Sequence, residues 1–225
     1  MRFADLHIKG DGLENFGKVL DFSKSLGFDE IVLCFTEKNL ERMKDIGEGF
    51  GLGIELHPES TSKLERAVGM FRKNFEILYV AGGNIEINRA AAELPQIDLL
   101  NPVGKPNDFN AFNHVIARLC KKNSVSVCFD FSSLLHTHGR ERGIVLSKIK
   151  GIANLIKKFS VPFVLASGAE SLWDLRSPHE LISFGRILGF QDSEILKAIS
   201  GEILKENRKR LSKKWVMPGV EVESD

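Results

Sequence analysis

Seven short apolar runs punctuate the 225-residue chain at intervals of a few tens of residues: RFADLHI, EIVLCF, LGIELH, EILYVAG, IDLLN, VSVCFDF and PFVLAS. They are apolar at most positions rather than alternating, the pattern of strands buried on both faces of a parallel sheet. Parallel neighbours need a crossover between them, and helical patterns fill the intervals. No low-complexity linker or domain boundary interrupts the series. The pattern therefore predicts one α/β domain, a TIM-like β/α barrel, in preference to an open doubly wound sheet. Residues 215–225, WVMPGVEVESD, read as an extended C-terminal tail.

The helices carry their own signals. Leu13, Phe16, Val19, Leu20 and Leu26 share helical spacing, and Gly27 is placed to end that helix. Phe112, Val115, Ile116 and Leu119 form an i, i+3, i+4, i+7 stripe whose outer flank carries Asn113, His114, Arg118 and Lys121. A further helix is expected over 143–158, with Ile144, Ile149, Ile152, Leu155 and Ile156 inward. Ser177, Pro178 and Glu180 make a start signal of cap, first-turn proline and capping box. Gly189 is expected to stop that helix. QDSEILKAISGEILKENRKRL then reads as one last helix capped by Asp192.

Charge narrows the class of partner. The net charge is only +1, but residues 1–100 carry 12 cations against 17 acids and residues 101–225 carry 19 against 13. One half is thus acidic and the other basic, which predicts a basic face. The densest cationic run is KENRKRLSKK. Cys34, Cys120 and Cys128 lack metal-type spacing and are expected to be buried thiols in a reducing compartment. No apolar run approaches the ~20 residues of a membrane span, and no secretory signal is visible. A cytoplasmic protein without a membrane partner is the expectation.

Catalytic groups of a β/α barrel sit where strands end. Asp5, His7, Glu55, His57, Glu59, Asp130, His136 and His138 fall there, and imidazoles with carboxylates are ligand types for zinc or manganese. DLHIKG and Gly53-Ile54-Glu55 resemble two landmarks of the metal-dependent phosphoesterases of the polymerase and histidinol phosphatase family. Its first strand ends in His-x-His, and a late turn reads Ser-Asp-Ala-His. Here the second histidine is Lys9 and the late turn is Ser167-Gly168-Ala169-Glu170. Three ligands are gone, and a cation at Lys9 repels a metal. The resemblance implies a related fold without the metal, with His7 and Glu55 structural in a hydrogen-bonded cluster with Lys9. The alternative is a metal-dependent phosphoesterase whose site is rebuilt from His7, Glu55, His57, Glu59 and His136/His138.

Three longer stretches carry a second resemblance: NPVGKPNDFNAFNHVIARL, ASGAESLWDLRSPHELISFGRILGF and ENRKRLSKKWVMPGVEVE. They resemble the barrel-shaped protein subunit of archaeal and eukaryal ribonuclease P, and the likeness spans essentially the whole chain. It implies a subunit of the endoribonuclease that removes the 5′ leader of precursor tRNA, with catalysis and its Mg²⁺ on the RNA. No catalytic residue, metal or cofactor is then expected in this chain. The implied partners are ribonuclease P RNA, precursor tRNA as substrate of the holoenzyme, protein component 2 and the other protein subunits. An RNA-facing protein needs Arg and Lys that reach phosphate, Arg being favoured for its bidentate fork. The matching positions are Lys105, His114, Arg118 and Arg176, the last beside an anion-attracting helix N-terminus. Arg186, Arg208 and Arg210 extend the set, and Arg89 joins it. Phe112 and Phe184 are expected in the core. With net charge +1, few phosphates can be neutralised, so tight RNA binding is expected to require component 2.

Overall fold

The computed structural model describes residues 2–103, 111–212, 215–217 and 220–221. All seven apolar runs are strands: β1 Ala4–Lys9, β2 Glu30–Thr36, β3 Gly51–Leu56, β4 Ile77–Ala81, β5 Leu99–Asn101, β6 Ser126–Asp130 and β7 Phe163–Ala166. They pair in parallel and in chain order. The ring closes at its C-terminal rim just past β7. There Ile8 bridges Ala169, Lys9 N donates to Ala169 O at 2.8 Å, and Gly168 N donates to His7 O at 3.0 Å. At the opposite end Ala4 N donates instead to Ile199 O, at 2.8 Å. The result is a nearly closed seven-stranded β/α barrel.

Two apolar layers follow from the pleat, since successive side chains face opposite sides. Leu6, Val32, Cys34, Ile77, Tyr79, Leu99, Cys128 and Val164 pack together as one cluster inside the barrel. Leu33, Phe35, Ile54, Leu78, Val127 and Leu165 belong to the cluster shared with the surrounding helices. Each fully buried large side chain contributes roughly 1.5–3 kcal/mol. All three cysteines are buried and free.

The helices are α1 Phe16–Leu26, α2 Thr61–Phe71, α3 Ile85–Glu93, α4 His114–Asn123, α5 Ser132–Leu135, α6 Gly139–Phe159, α7 Pro178–Ile187, α8 Asp192–Ala198 and α9 Glu202–Leu211. Asn15 caps α1, and Gly27 ends it at φ +101°. The Ser177–Glu180 capping box with Pro178 starts α7 as its sequence signals. Three details differ from the sequence pattern. Phe112 is buried but precedes α4, which turns Ile116, Ala117 and Cys120 inward and leaves Val115 exposed. Gln191, not Asp192, caps α8. The final apolar-periodic run is two helices, because the chain turns at Gly201 with φ +72°, where a Cβ would stand 2.8 Å from that of Ala4. That turn lets α9 drive Leu204 into the barrel interior from its N-terminal end. Trp215–Met217 and Val220–Glu221 pair antiparallel. Among the described residues, no helix is long and apolar enough to cross a membrane.

Candidate functional site

The barrel interior is apolar until its C-terminal mouth, where a charged cluster replaces it. Asp130, at the end of β6, is its hub. Its carboxylate accepts from His7 Nδ1 at 2.9 Å, Tyr79 OH at 2.5 Å, Asn101 Nδ2 at 2.7 Å and Cys128 Sγ at 3.4 Å. His7 stacks on Tyr79 with ring centroids 3.7 Å apart. Its Nε2 lies 3.5 Å from Glu55, and Glu55 in turn meets His57 Nε2 at 3.1 Å. A line of contacts therefore runs from Asp130 through His7 and Glu55 to the half-exposed His57. Asp5 sits beside it, accepting from Ser167 N at 3.1 Å.

Burial and charge compete at each group. Burial disfavours the His7 cation, but Asp130 and Glu55 outweigh it and raise the imidazole to about 10. Burial likewise opposes the Glu55 carboxylate, yet His57, His7 and Lys9 hold it well below the usual range. Asp130 is held low against its burial by the His7 charge and the donated hydrogen bonds. At Asp5 burial outweighs the bonds from Ser167 and the His7 N–H and the nearby His7 charge, and lifts the carboxyl to about 6. Burial, with Asp130 adjacent, pushes the Tyr79 phenol far up.

Lys9 does not join the His7–Glu55 contact as the sequence suggests. It pairs with Glu170 at 2.8 Å across the seam between β1 and the turn after β7. The two residues that stand where the phosphoesterases place histidines thus neutralise each other. Gly168, which replaces the aspartate of that turn, has φ +61°. A Cβ there would lie 2.5 Å from Ser132 Oγ and 2.6 Å from Asp130 Cβ. The backbone excludes the lost ligand as well as lacking it. His136 and His138 also part company: His136 meets Asp174 at 3.1 Å, and His138 Nδ1 accepts from Arg142 at 3.3 Å. Glu59 pairs with Lys63. Among the described residues, no three His, Cys, Asp or Glu side chains form a group that could hold a metal ion.

The model of one protein family, described as RNase P subunit p30, matches residues 2–212. The chain belongs to the RNase P subunit p30 family. Ribonuclease P protein component 3 of Methanosarcina mazei is 36% identical, with 96% of this chain and 93% of that protein covered. The protein of the same name from Methanococcoides burtonii is 34% identical, covering 98% and 93%. A chain in a cryo-EM structure of archaeal ribonuclease P with mature tRNA superposes with a TM-score of 0.82 at 25% identity, covering 99% of this chain and 98% of that one.

On this p30-family barrel the cations singled out in the sequence do not form one patch. Arg89 and Arg118 are exposed on the neighbouring helices α3 and α4, with His114 exposed at the first position of α4. Arg89 pairs with Glu93 at 3.1 Å, and the Arg118 guanidinium lies 5.3 Å over Phe159. Lys105 lies outside the described residues. Arg176 is mostly covered: it donates to Trp173 O at 2.9 Å and Leu175 O at 2.7 Å, and stacks on Phe131. Arg186 grips Asp192 through two 2.8 Å bonds. Arg208 joins Glu30 and Glu76, each at 2.6 Å, at the N-terminal ends of the strands. Arg210 approaches Asp98 there at 3.9 Å.

Sequence reasoning missed Tyr79 and Asn101 as ligands of Asp130. Both end up against it because β4 and β5 bring them to the same level of the barrel as the ends of β1 and β6. Alternation along β4 could have flagged Tyr79 as interior. It missed as well Lys38, Lys63 and Arg66, which line a groove of about 600 Å³ beside the mouth together with His57, Glu37, Glu55 and Glu59. After β4, the Gly83 N–H donates to the Asn88 side chain at 3.0 Å.

Proposed function

We propose that this chain is the barrel-shaped protein subunit of a ribonuclease P and assists an RNA that carries both the catalysis and its Mg²⁺. The observation that carries this reading is the end-to-end superposition on a chain of archaeal ribonuclease P, with almost nothing left over on either side. The mouth chemistry agrees with a supporting role. Where the phosphoesterases that the sequence resembles gather open ligands around a metal, this barrel has the Lys9–Glu170 ion pair and, in Asp130, a carboxylate whose lone pairs are already taken.

Component 2 is the protein partner in this reading, and together the two subunits stabilise the RNA's catalytic domain in the cleavage of precursor tRNA. The phosphate contacts assigned here are Arg89, His114 and Arg118 on the outer faces of α3 and α4, Arg176 beside the α7 N-terminus, and Lys105, which lies outside the described residues. Arg186, Arg208 and Arg210 complete the basic set, but each must share its charge with the acid it already faces. The test is cleavage of precursor tRNA by the cognate RNA at limiting Mg²⁺, with component 2 present and this chain added or withheld. Stimulation that requires both proteins is the expected result. Absence of stimulation, with both proteins folded, would overturn the reading.

A further inference from the structure

Two neighbouring helices carry almost nothing but positive charge. Three Lys and Arg on α4 and six on α6 stand against a single acid, Glu141. Arg118 from α4 and Lys158 from α6 share the ring of Phe159, 5.3 Å and 5.7 Å from its centroid, so the two sets adjoin. Lys121 and Lys122 extend the α4 side, and Arg140 and Lys150 the α6 side; all six are exposed. Among the described residues, none of these six forms an ion pair with a carboxylate. Arg89, Arg186 and Arg208, by contrast, each already face an acid. Between its cations the exposed face of α6 is small and polar, with Gly143, Ser147, Gly151 and Asn154 recurring every three or four residues. A Cβ at either glycine would meet nothing within 4 Å, so the packing of the barrel does not call for them, although glycine inside a helix weakens it. Of the large exposed apolar side chains among the described residues, only Val115 lies on these two helices.

We propose that the sugar-phosphate backbone of the particle's RNA lies along this face, its phosphates met by Arg118, Lys121 and Lys122 from α4 and by Arg140, Lys150 and Lys158 from α6. The proposal rests on the ribonuclease P reading above and names the RNA-facing surface within it, of which α6 supplies half the cations. Charge and shape decide between RNA and an acidic protein as occupant. Nucleic-acid affinity comes chiefly from Lys and Arg that neutralise phosphates, and cations already held by carboxylates serve it poorly. The α4–α6 face offers cations without such partners. A protein interface is built around an apolar centre from which charge is depleted, whereas the centre here is glycine, serine and asparagine. Those small residues let a uniformly charged backbone approach α6 closely, and its 21 residues span about 30 Å, enough to follow a strand past several phosphates.

The experiment places p-benzoylphenylalanine at position 154, on the exposed face of α6, and irradiates the holoenzyme reconstituted from its RNA and its complete set of protein subunits. A cross-link to the RNA is the expected outcome. A cross-link to a protein subunit, or none from a chain that has entered the particle, would overturn the proposal. Lys150→Ala combined with Lys158→Ala supplies a second reading, since both side chains are exposed and their loss leaves the core intact. Incorporation into the particle should weaken by about tenfold or more at physiological salt, and its salt slope should fall by about 1.4–1.8, the share of two phosphate contacts. Unchanged incorporation across the salt range would overturn the proposal. So would an equal loss from Lys18→Ala combined with Lys24→Ala on α1, which would reduce the effect to net charge. Failure of the unsubstituted chain to enter the particle would instead sink the subunit reading itself.

Discussion

Lys9 Nζ stands 2.8 Å from Glu170 Oε1, joining the end of the first barrel strand to the turn after the last. The pair joins the two sides of the barrel seam and occupies the positions of two histidines in the phosphoesterases that the sequence resembles. Its side chains are 31% and 49% exposed, so solvent screens much of the attraction. A double-mutant cycle with Lys9→Ala and Glu170→Ala should therefore give a coupling of about 0.2–1 kcal/mol that shrinks with added salt. Urea denaturation of the four proteins at low and high salt measures it. A coupling several times larger would mean that the pair is far less hydrated than its exposure indicates.

Gly168→Asp should not restore a metal ligand. The left-handed backbone and the 2.6 Å approach of a Cβ to Asp130 make the substitution strained at the centre of the cluster. A loss of more than about 2 kcal/mol is expected, read as a lowered midpoint of thermal unfolding. Calorimetric titration with Zn²⁺ or Mn²⁺ on any folded fraction should show no new site.

His7 makes stability depend on alkaline pH. Its folded value of about 10 lies above the ordinary 6.5, so its stabilising contribution is complete below about 6.5 and drains away as pH rises towards 10. The denaturation midpoint should fall between pH 7 and 10. His7→Gln should flatten that slope and cost about 3–5 kcal/mol at pH 7, because Asp130 and Glu55 then lose their shared cation. If the variant followed the same alkaline decline as the parent, His7 would not be its source.

Asp5 acts in the opposite range. Its folded value of about 6 exceeds the ordinary 3.8, so the native state holds a proton that the unfolded chain has already released. This group's contribution falls as pH climbs from about 4 to 6 and stays unfavourable above that. Asp5→Asn keeps an oxygen for Ser167 N and removes the buried charge. It should raise stability at pH 7 by about 1–3 kcal/mol and leave it nearly unchanged at pH 4. Chemical denaturation at the two pH values separates these outcomes.

Arg118 and Arg208 should differ in kind. Arg118 faces solvent over Phe159, and Arg118→Ala should reduce the salt slope of RNA binding by about 0.7–0.9 while barely changing stability. Arg208 bridges Glu30 and Glu76 from α9, so Arg208→Ala should cost about 1 kcal/mol of stability. Titration of the reconstituted complex over a range of salt concentrations, alongside melting curves, tests both halves. A stability loss at Arg118 equal to that at Arg208 would remove the distinction.

Much of this protein is written locally. The seven strands lie where continuous apolar runs stand, since a strand covered on both faces leaves no polar alternation to misread. The α7 start follows from Ser177, Pro178 and Glu180, whose capping bonds span three residues. The α1 stop follows from Gly27, whose positive φ needs only its own missing Cβ. Local signals fail where the deciding contact comes from elsewhere in the chain. One periodic run became α8 and α9 because Ala4, two hundred residues away in sequence, crowds Gly201. Val115 satisfied a helical stripe, but the packing of α4 against its neighbours turned a different face inward.

The mouth divides the same way. That Lys9 and the Ser167–Glu170 turn depart from a metal-binding pattern is visible in the sequence alone. That Lys9 and Glu170 answer each other, that Asp130 draws in His7, Tyr79 and Asn101, and that Arg208 faces acids at the barrel's far end are facts of closure. Hydrophobic periodicity fixes which residues are buried, because water acts on each residue where it stands. Ion pairs and hydrogen bonds act over a few ångströms between particular atoms, and only the closed barrel brings those atoms together.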